Sequence, residues 1–120
     1  MKEEALDNMR VDELVALFTR IALDQDKAEI DDDIPKYNRL LRQMKMVMAA
    51  LKARQGDQRG ALLPLHYHRN AQVRFTAAVA TKDIAPDASR RVFQSISDRN
   101  EYPQAADARG MLRELDGKFV

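Results

Sequence analysis

LLPLHYHRNAQVRFTAAVA, residues 62 to 80, holds both histidines of the chain, two arginines and a run of small apolar residues. Its order decides the fold. Ala61, Leu62, Leu63 and Leu65 predict a short helix that reaches about His66, a polar corner follows, and Asn70 stands where a helix N-cap belongs. Beyond it Val73, Ala77, Ala80 and Ile84 recur at three- and four-residue steps, one face of an α-helix whose alanines let a neighbouring helix come close. The histidines invite a metal reading. Residues two apart point the same way only in an extended segment, however, and a catalytic zinc usually takes three protein ligands, the third of which stands at no recognisable spacing. His66 is therefore read as a helix-end residue and His68 as a corner residue, with no metal and no cofactor expected.

The pattern continues in both directions. Toward the C-terminus, Pro86 beside Asp87 opens a helix whose buried side is Val92, Phe93 and Ile96. Pro103 starts another, in which Ala105, Ala108, Met111, Leu112 and Leu115 repeat until Gly117 stops it. Toward the N-terminus, Val11, Leu14, Val15, Phe18, Ile21 and Ala22 predict a helix over about 11–27, with Asp12 and Glu13 at the positive end of its dipole. Asp31, Asp32 and Asp33 then offer a cap, and they lack the alternating ligands and glycine of a calcium loop. Pro35 suits the first turn of the next helix, whose apolar face is Tyr37, Leu40, Leu41, Met44, Met48 and Leu51 and whose end falls near Gln55 and Gly56. Its methionines are packing material. No segment alternates with the two-residue period of an exposed strand, so no sheet is expected.

Six helices with short links make sequential neighbours antiparallel. The expected fold is all-α, a single domain over residues 1–120 built as a short α-solenoid of three antiparallel helix pairs, with a globular helical bundle as the alternative. Val73 and Arg74, followed by Ala77 and Ala78, resemble the second helix of a HEAT repeat. The resemblance implies that the valine and alanines are buried between neighbouring pairs while the arginine runs along the inter-repeat surface. Such repeats usually carry an aspartate where this chain has His68, which leaves Asp98 or Asp107 to pair with Arg74. Over residues 60–120, LLPLHYHRNAQVRFTAAVA with IAPDASRRVFQSI and YPQAADARGMLRELDGKF is similar to a family of short bacterial proteins of unknown function with a HEAT- or armadillo-like fold. Residues 1–55 match it only in helical pattern and in Tyr37-Asn38. The resemblance implies a fold and no established activity; some small bacterial helical-repeat proteins are partners or immunity factors of toxins, an analogy at the level of fold.

Composition narrows the function. The chain has no cysteine, which removes disulfides, thiolate metal sites and cysteine nucleophiles and fits a reducing compartment. The acidic start MKEEALDNMRVDEL lacks a signal-like apolar run, and no stretch has the roughly 20 apolar residues of a membrane span, so the expectation is a cytoplasmic protein without membrane contact. Ser89, Ser95 and Ser97 have no histidine nearby in sequence and no nucleophile-elbow glycines, and no phosphate-binding glycine loop occurs. An enzyme is not expected.

The net charge of +1 conceals a division: residues 1–35 carry net −7, residues 36–69 net +7 and residues 70–120 net +1. One consequence is an acidic first helix against a basic second. The other is a nucleic-acid surface formed by Arg39, Arg42, Lys45, Lys52, Arg54, Arg59 and Arg69. With Lys36 they spread over more than half of the helix cylinder and include no aromatic for base stacking, so this is the alternative function. The leading expectation is a non-enzymatic protein-interaction module of adaptor or toxin-immunity type. Phe75 and Val79 lie off the face of Val73, Ala77 and Ala80: they either pack on the last helix or, rimmed by Gln72, Thr76 and Lys82, form a partner-binding patch.

Overall fold

A computed structural model describes residues 1–117. Lys118 and Phe119, which close the last segment of the resemblance, lie outside the described residues together with Val120. The described residues are mostly helical, joined by short connections, with no strand among them. They divide into two compact units, Met1–Ala61 and Leu62–Val120.

The first unit contains α1 (Glu3–Asp7), α2 (Val11–Ile30) and α3 (Ile34–Ala53). Glu13 starts α2 by reaching back to accept from the Arg10 backbone N–H at 2.8 Å. The turn to α3 places Asp32 at a φ of 54° and uses Asp33 as the cap, its Oδ1 accepting from Lys36 N–H at 3.1 Å. Pro35 falls in the first turn of α3. The two long helices pack along Leu14, Phe18, Ile21, Ala22 and Ala28 on one side and Leu40, Met44, Val47 and Leu51 on the other, all buried. This corrects the apolar face read for α3: Val47 belongs to it, Met48 is half-buried, and Leu41 is exposed because it lies beyond the stripe that faces α2. α1 is a turn and a half that periodicity does not reveal. Arg54 holds it, donating from one nitrogen to the carbonyls of Leu6 and Met9 at 2.9 and 2.7 Å.

The short helix expected from Ala61 to about His66 is a ten-residue 3-10 segment, Gln58–Tyr67. Pro64 explains the winding. It has no N–H for the carbonyl four residues back and its ring crowds that carbonyl, so the tighter winding replaces the α ladder.

The second unit contains α4 (Ala71–Thr81), α5 (Pro86–Asp98) and α6 (Gln104–Leu115). Asn70 caps α4, its side-chain oxygen accepting from Gln72 and Val73 N–H at 2.9 and 3.1 Å. α4 packs on α5, and α5 on α6. Ala78, Val92, Phe93, Ile96, Ala105 and Ala108 form the core, with Phe75, Val79, Met111, Leu112 and Leu115 packed against it. Small residues on α4 and α6 let Phe93 sit fully buried at the centre. Ile84, read as inward-facing, is exposed: α4 ends at Thr81, and the carbonyl of Thr81 accepts from the N–H of both Ile84 and Ala85 as the chain turns into Pro86. The peptide bond between Tyr102 and Pro103 is cis.

A candidate anion-binding cleft in the second unit

The polar corner His66–Asn70 and one face of α5 enclose a cleft of about 510 Å3, lined by His66, Tyr67, His68, Arg69 and Arg74 on one side and Ala88, Arg91, Val92, Ser95 and Arg99 on the other. At 100° per residue the four α5 positions and the C-cap residue Arg99 fall within about 100° of arc, so they continue one stripe. Arg91 and Arg99 are eight residues apart, about 12 Å along the axis, with Ser95 between them. Four arginines and two histidines line the cleft, and no carboxylate does.

The arginines divide by role. Arg74 is buried and forms a fork with Glu101, its two terminal nitrogens donating to the two carboxylate oxygens at 2.7 Å each, while also donating to the Arg69 carbonyl at 3.3 Å. That pair corrects the expectation of Asp98 or Asp107 as the partner of Arg74. Glu101 is in the α5–α6 turn, where it meets the guanidinium that runs from α4 past the end of α5, a position sequence distance does not disclose. The Arg74 hydrogen bonds hold the Glu101 carboxyl below its ordinary pKa against a smaller opposing effect of burial, and the charges of Arg74 and Arg99 add to the lowering. Arg69, Arg91 and Arg99 are exposed, and among the described residues none of the three has a carboxylate within 4 Å. Their charge faces the concavity and the solvent.

The histidines are fixed by protein partners. His66 is buried with Nε2 2.8 Å from Thr81 Oγ1. Thr81 spends its one hydroxyl proton on the Ala77 carbonyl at 2.8 Å, so it accepts from His66 Nε2–H and from Ser89 Oγ, 3.2 Å away. The imidazole is thereby the Nε2–H tautomer. Burial lowers its pKa, the neighbouring Ala77 carbonyl works the other way, and the positive charge of Arg91 lowers it again. His68 Nδ1 accepts from Asn70 N–H at 3.0 Å, which locks the corner. The two rings are turned to different partners and share no ligand position, and no group of three metal-binding side chains occurs among the described residues. Ser89 reaches His66 only through Thr81, and its side chain is 0% exposed. The His66–Thr81–Ser89 chain ties the corner to α4 and α5 and leaves no hydroxyl open to a substrate.

The other residues singled out from the sequence fall into three settings. Gln72 is buried and its Oε1 accepts from Gln104 Nε2 at 3.0 Å, so it joins α4 to α6 and provides no rim. Phe75 packs edge-on against Phe93 with ring centroids 5.6 Å apart, Val79 packs on the same core, and Thr76 donates back to the Gln72 carbonyl at 2.9 Å. Lys82 lies near Glu114 and Asp83 at 3.5 and 3.9 Å. The packed arrangement of Phe75 and Val79 is thus the one realised. On the basic side, Arg39, Arg42, Lys45 and Lys52 are exposed on α3, whereas Arg54 holds α1 and Arg59 is buried in an ion pair with Asp57 at 2.7 Å. Arg54 and Arg59 are therefore structural. Arg69 is exposed on the cleft wall. Sequence reading missed Tyr67 and the grouping of Arg91, Ser95 and Arg99, of which Ser95 was weighed only as a nucleophile. The available signal was the spacing of the last three, four residues apart on a single helical face.

An all-helical protein with an arginine-walled cleft is the class that fold and site define; no helix among the described residues is long and apolar enough to cross a membrane. Residues 12–116 match the family described as a domain of unknown function (DUF2019), and the chain belongs to that family. It is similar to the crystal structure of the protein RPA1889 from Rhodopseudomonas palustris CGA009, at 40% identity and a TM-score of 0.92, with 96% of this chain and 95% of that one covered. No curated protein matches it.

Proposed function

We propose that this chain is a non-enzymatic interaction module, a HEAT- or armadillo-like solenoid of antiparallel helix pairs, which holds an acidic protein partner in the cleft of its second unit. The observation that carries the reading is the wall of Arg69, Arg91 and Arg99, three guanidinium groups around one concavity with no carboxylate in the lining. Like charges gathered at a concave surface repel one another unless an anion joins them, and forked guanidinium donors suit carboxylates. At the α4 N-terminus Asn70 already takes the N–H groups of Gln72 and Val73. Recognition is by side chains spaced along a helix, which suits a partner carrying several separate carboxylates better than one compact anion. An adaptor or toxin-immunity role would act through this surface.

Fluorescence anisotropy with a labelled decapeptide rich in Asp and Glu tests it. Saturable binding at low salt is expected, weakening as salt is raised and falling at least tenfold in the Arg91→Gln, Arg99→Gln double variant. Equal binding by that variant, or no saturable binding by the native chain, removes the cleft from the function.

A further inference from the structure

The anionic partner can be named more closely, on the assumption that the cleft holds carboxylates as proposed above. We infer that its occupant is the α2–α3 corner of a second copy of this chain. The corner combines exposed apolar side chains with exposed carboxylates. Ile30 and Ile34 are 77% and 64% exposed, among the most exposed large apolar side chains of the protein. Between and beside them stand Glu29, Asp31, Asp32 and Asp33, all exposed. The corner also has a small crevice of about 80 Å3, lined by Ala28, Glu29, Asp32, Asp33, Ile34 and Tyr37.

The cleft offers the complement of each feature. Against the carboxylates it sets Arg69, Arg91 and Arg99; against the isoleucines it sets half-buried Ala88 and the ring of Tyr67, which is 91% exposed. At about 510 Å3 it lies in the range of sites that enclose a ligand, enough for a projecting loop tip. The crevice of the corner, with two or three waters' worth of space, acid walls and a tyrosine, fits one arginine head group such as that of Arg69. Each surface supplies what the other lacks, carboxylates beside exposed apolar side chains on the corner and guanidinium groups beside apolar wall on the cleft. Corner and cleft are different patches, so each corner–cleft contact leaves a corner on one copy and a cleft on the other to be filled.

Sedimentation velocity on the full chain, from about 10 to 300 μM in low salt, is the first measurement, the range in which a small charged interface associates. The expected result is a mass of two chains or more that returns to one chain near 0.5 M salt, where the Debye length is a few ångströms. Charge exchange then identifies the surfaces. Arg91→Glu with Arg99→Glu, and separately Glu29→Lys with Asp32→Lys, each sediment as single chains, while an equimolar mixture of the two doubly substituted proteins recovers a complex; circular dichroism confirms that each is folded. Association unchanged by either pair of reversals overturns the inference. So does a native chain that stays single throughout the range; if the acidic decapeptide still binds, only the occupant is wrong, and if it does not, the anion-holding reading falls as well.

Discussion

Arg74 shows how one residue joins fold to site. Its guanidinium is nearly enclosed, its charge is returned by Glu101 in a two-pronged bond, and it lies behind the free arginines of the cleft. Replacing one partner of such a pair leaves the other charge desolvated, which costs about 3–5 kcal/mol for a fully buried pair. Glu101 is partly exposed, so Glu101→Gln is expected to cost about 2 kcal/mol, a fall of roughly 8 °C in Tm for a chain of this length. Thermal unfolding followed by circular dichroism checks this; a loss near zero would mean that water replaces the carboxylate. His66 carries a second prediction. Burial and Arg91 depress its pKa below 6.5, so above that value the ring is neutral in both the folded and unfolded chain and contributes no pH dependence. As the pH falls through 6.5 the unfolded chain takes up a proton that the folded one refuses, and stability is lost. The native protein should therefore lose more stability between pH 7.5 and 5.5 in urea titrations than His66→Gln does. An acidic peptide in the cleft should oppose the loss, because its carboxylates offset Arg91.

At the scale of elements, the test case is α1, the helix that depends most on one distant side chain. Five residues are too few to hold a helix on propensity, and Arg54 satisfies two carbonyls at its end. Arg54→Ala is expected to cost about 1–2 kcal/mol and to speed hydrogen exchange of the Ala5–Met9 amides well before those of α2 and α3. Unchanged exchange in that segment would show that Leu6 alone anchors it. The same element marks the limit of what the sequence discloses. α2 through α6 are legible because a helix face and its caps are local: Asn70, Asp33 and the early prolines each stand at a helix start, and Phe18, Val73 and Phe93 lie on the inward stripes. α1 is not, because its support comes from 45 and more residues away. The 3-10 winding of Gln58–Tyr67 has its local signal in Pro64, whose missing N–H opposes an α ladder that the leucines alone would suit. The cleft was half legible. Its corner is one continuous stretch, but the opposite wall is a stripe of α5 whose arginines look like ordinary solvated charge until the fold sets them across from Arg69.

The whole molecule has almost no net charge, and this bears on the nucleic-acid alternative. A field strong enough to steer DNA needs an excess of one sign over a broad surface, whereas +1 is the sum of an acidic first segment and a basic second one. Of the seven basic residues considered for that role, Arg54 and Arg59 serve the interior, Arg69 lines the cleft, and only Arg39, Arg42, Lys45 and Lys52 remain exposed on α3. Four phosphate contacts would give a slope of about −3.6 for log K against log salt, and without stacking aromatics or a concave groove on α3 the affinity should stay in the non-specific range of roughly 10–100 μM or weaker at physiological salt. The expected outcome in electrophoretic mobility shifts with duplex DNA is a weak complex that fades between 50 and 200 mM salt and is indifferent to Arg91→Gln and Arg99→Gln. A sub-micromolar complex with that slope, abolished by Arg39→Gln with Arg42→Gln, would move the function from the cleft to α3. Weak binding of this kind together with tight, arginine-dependent capture of carboxylates would locate the working charge of the molecule in the three guanidinium groups around the cleft.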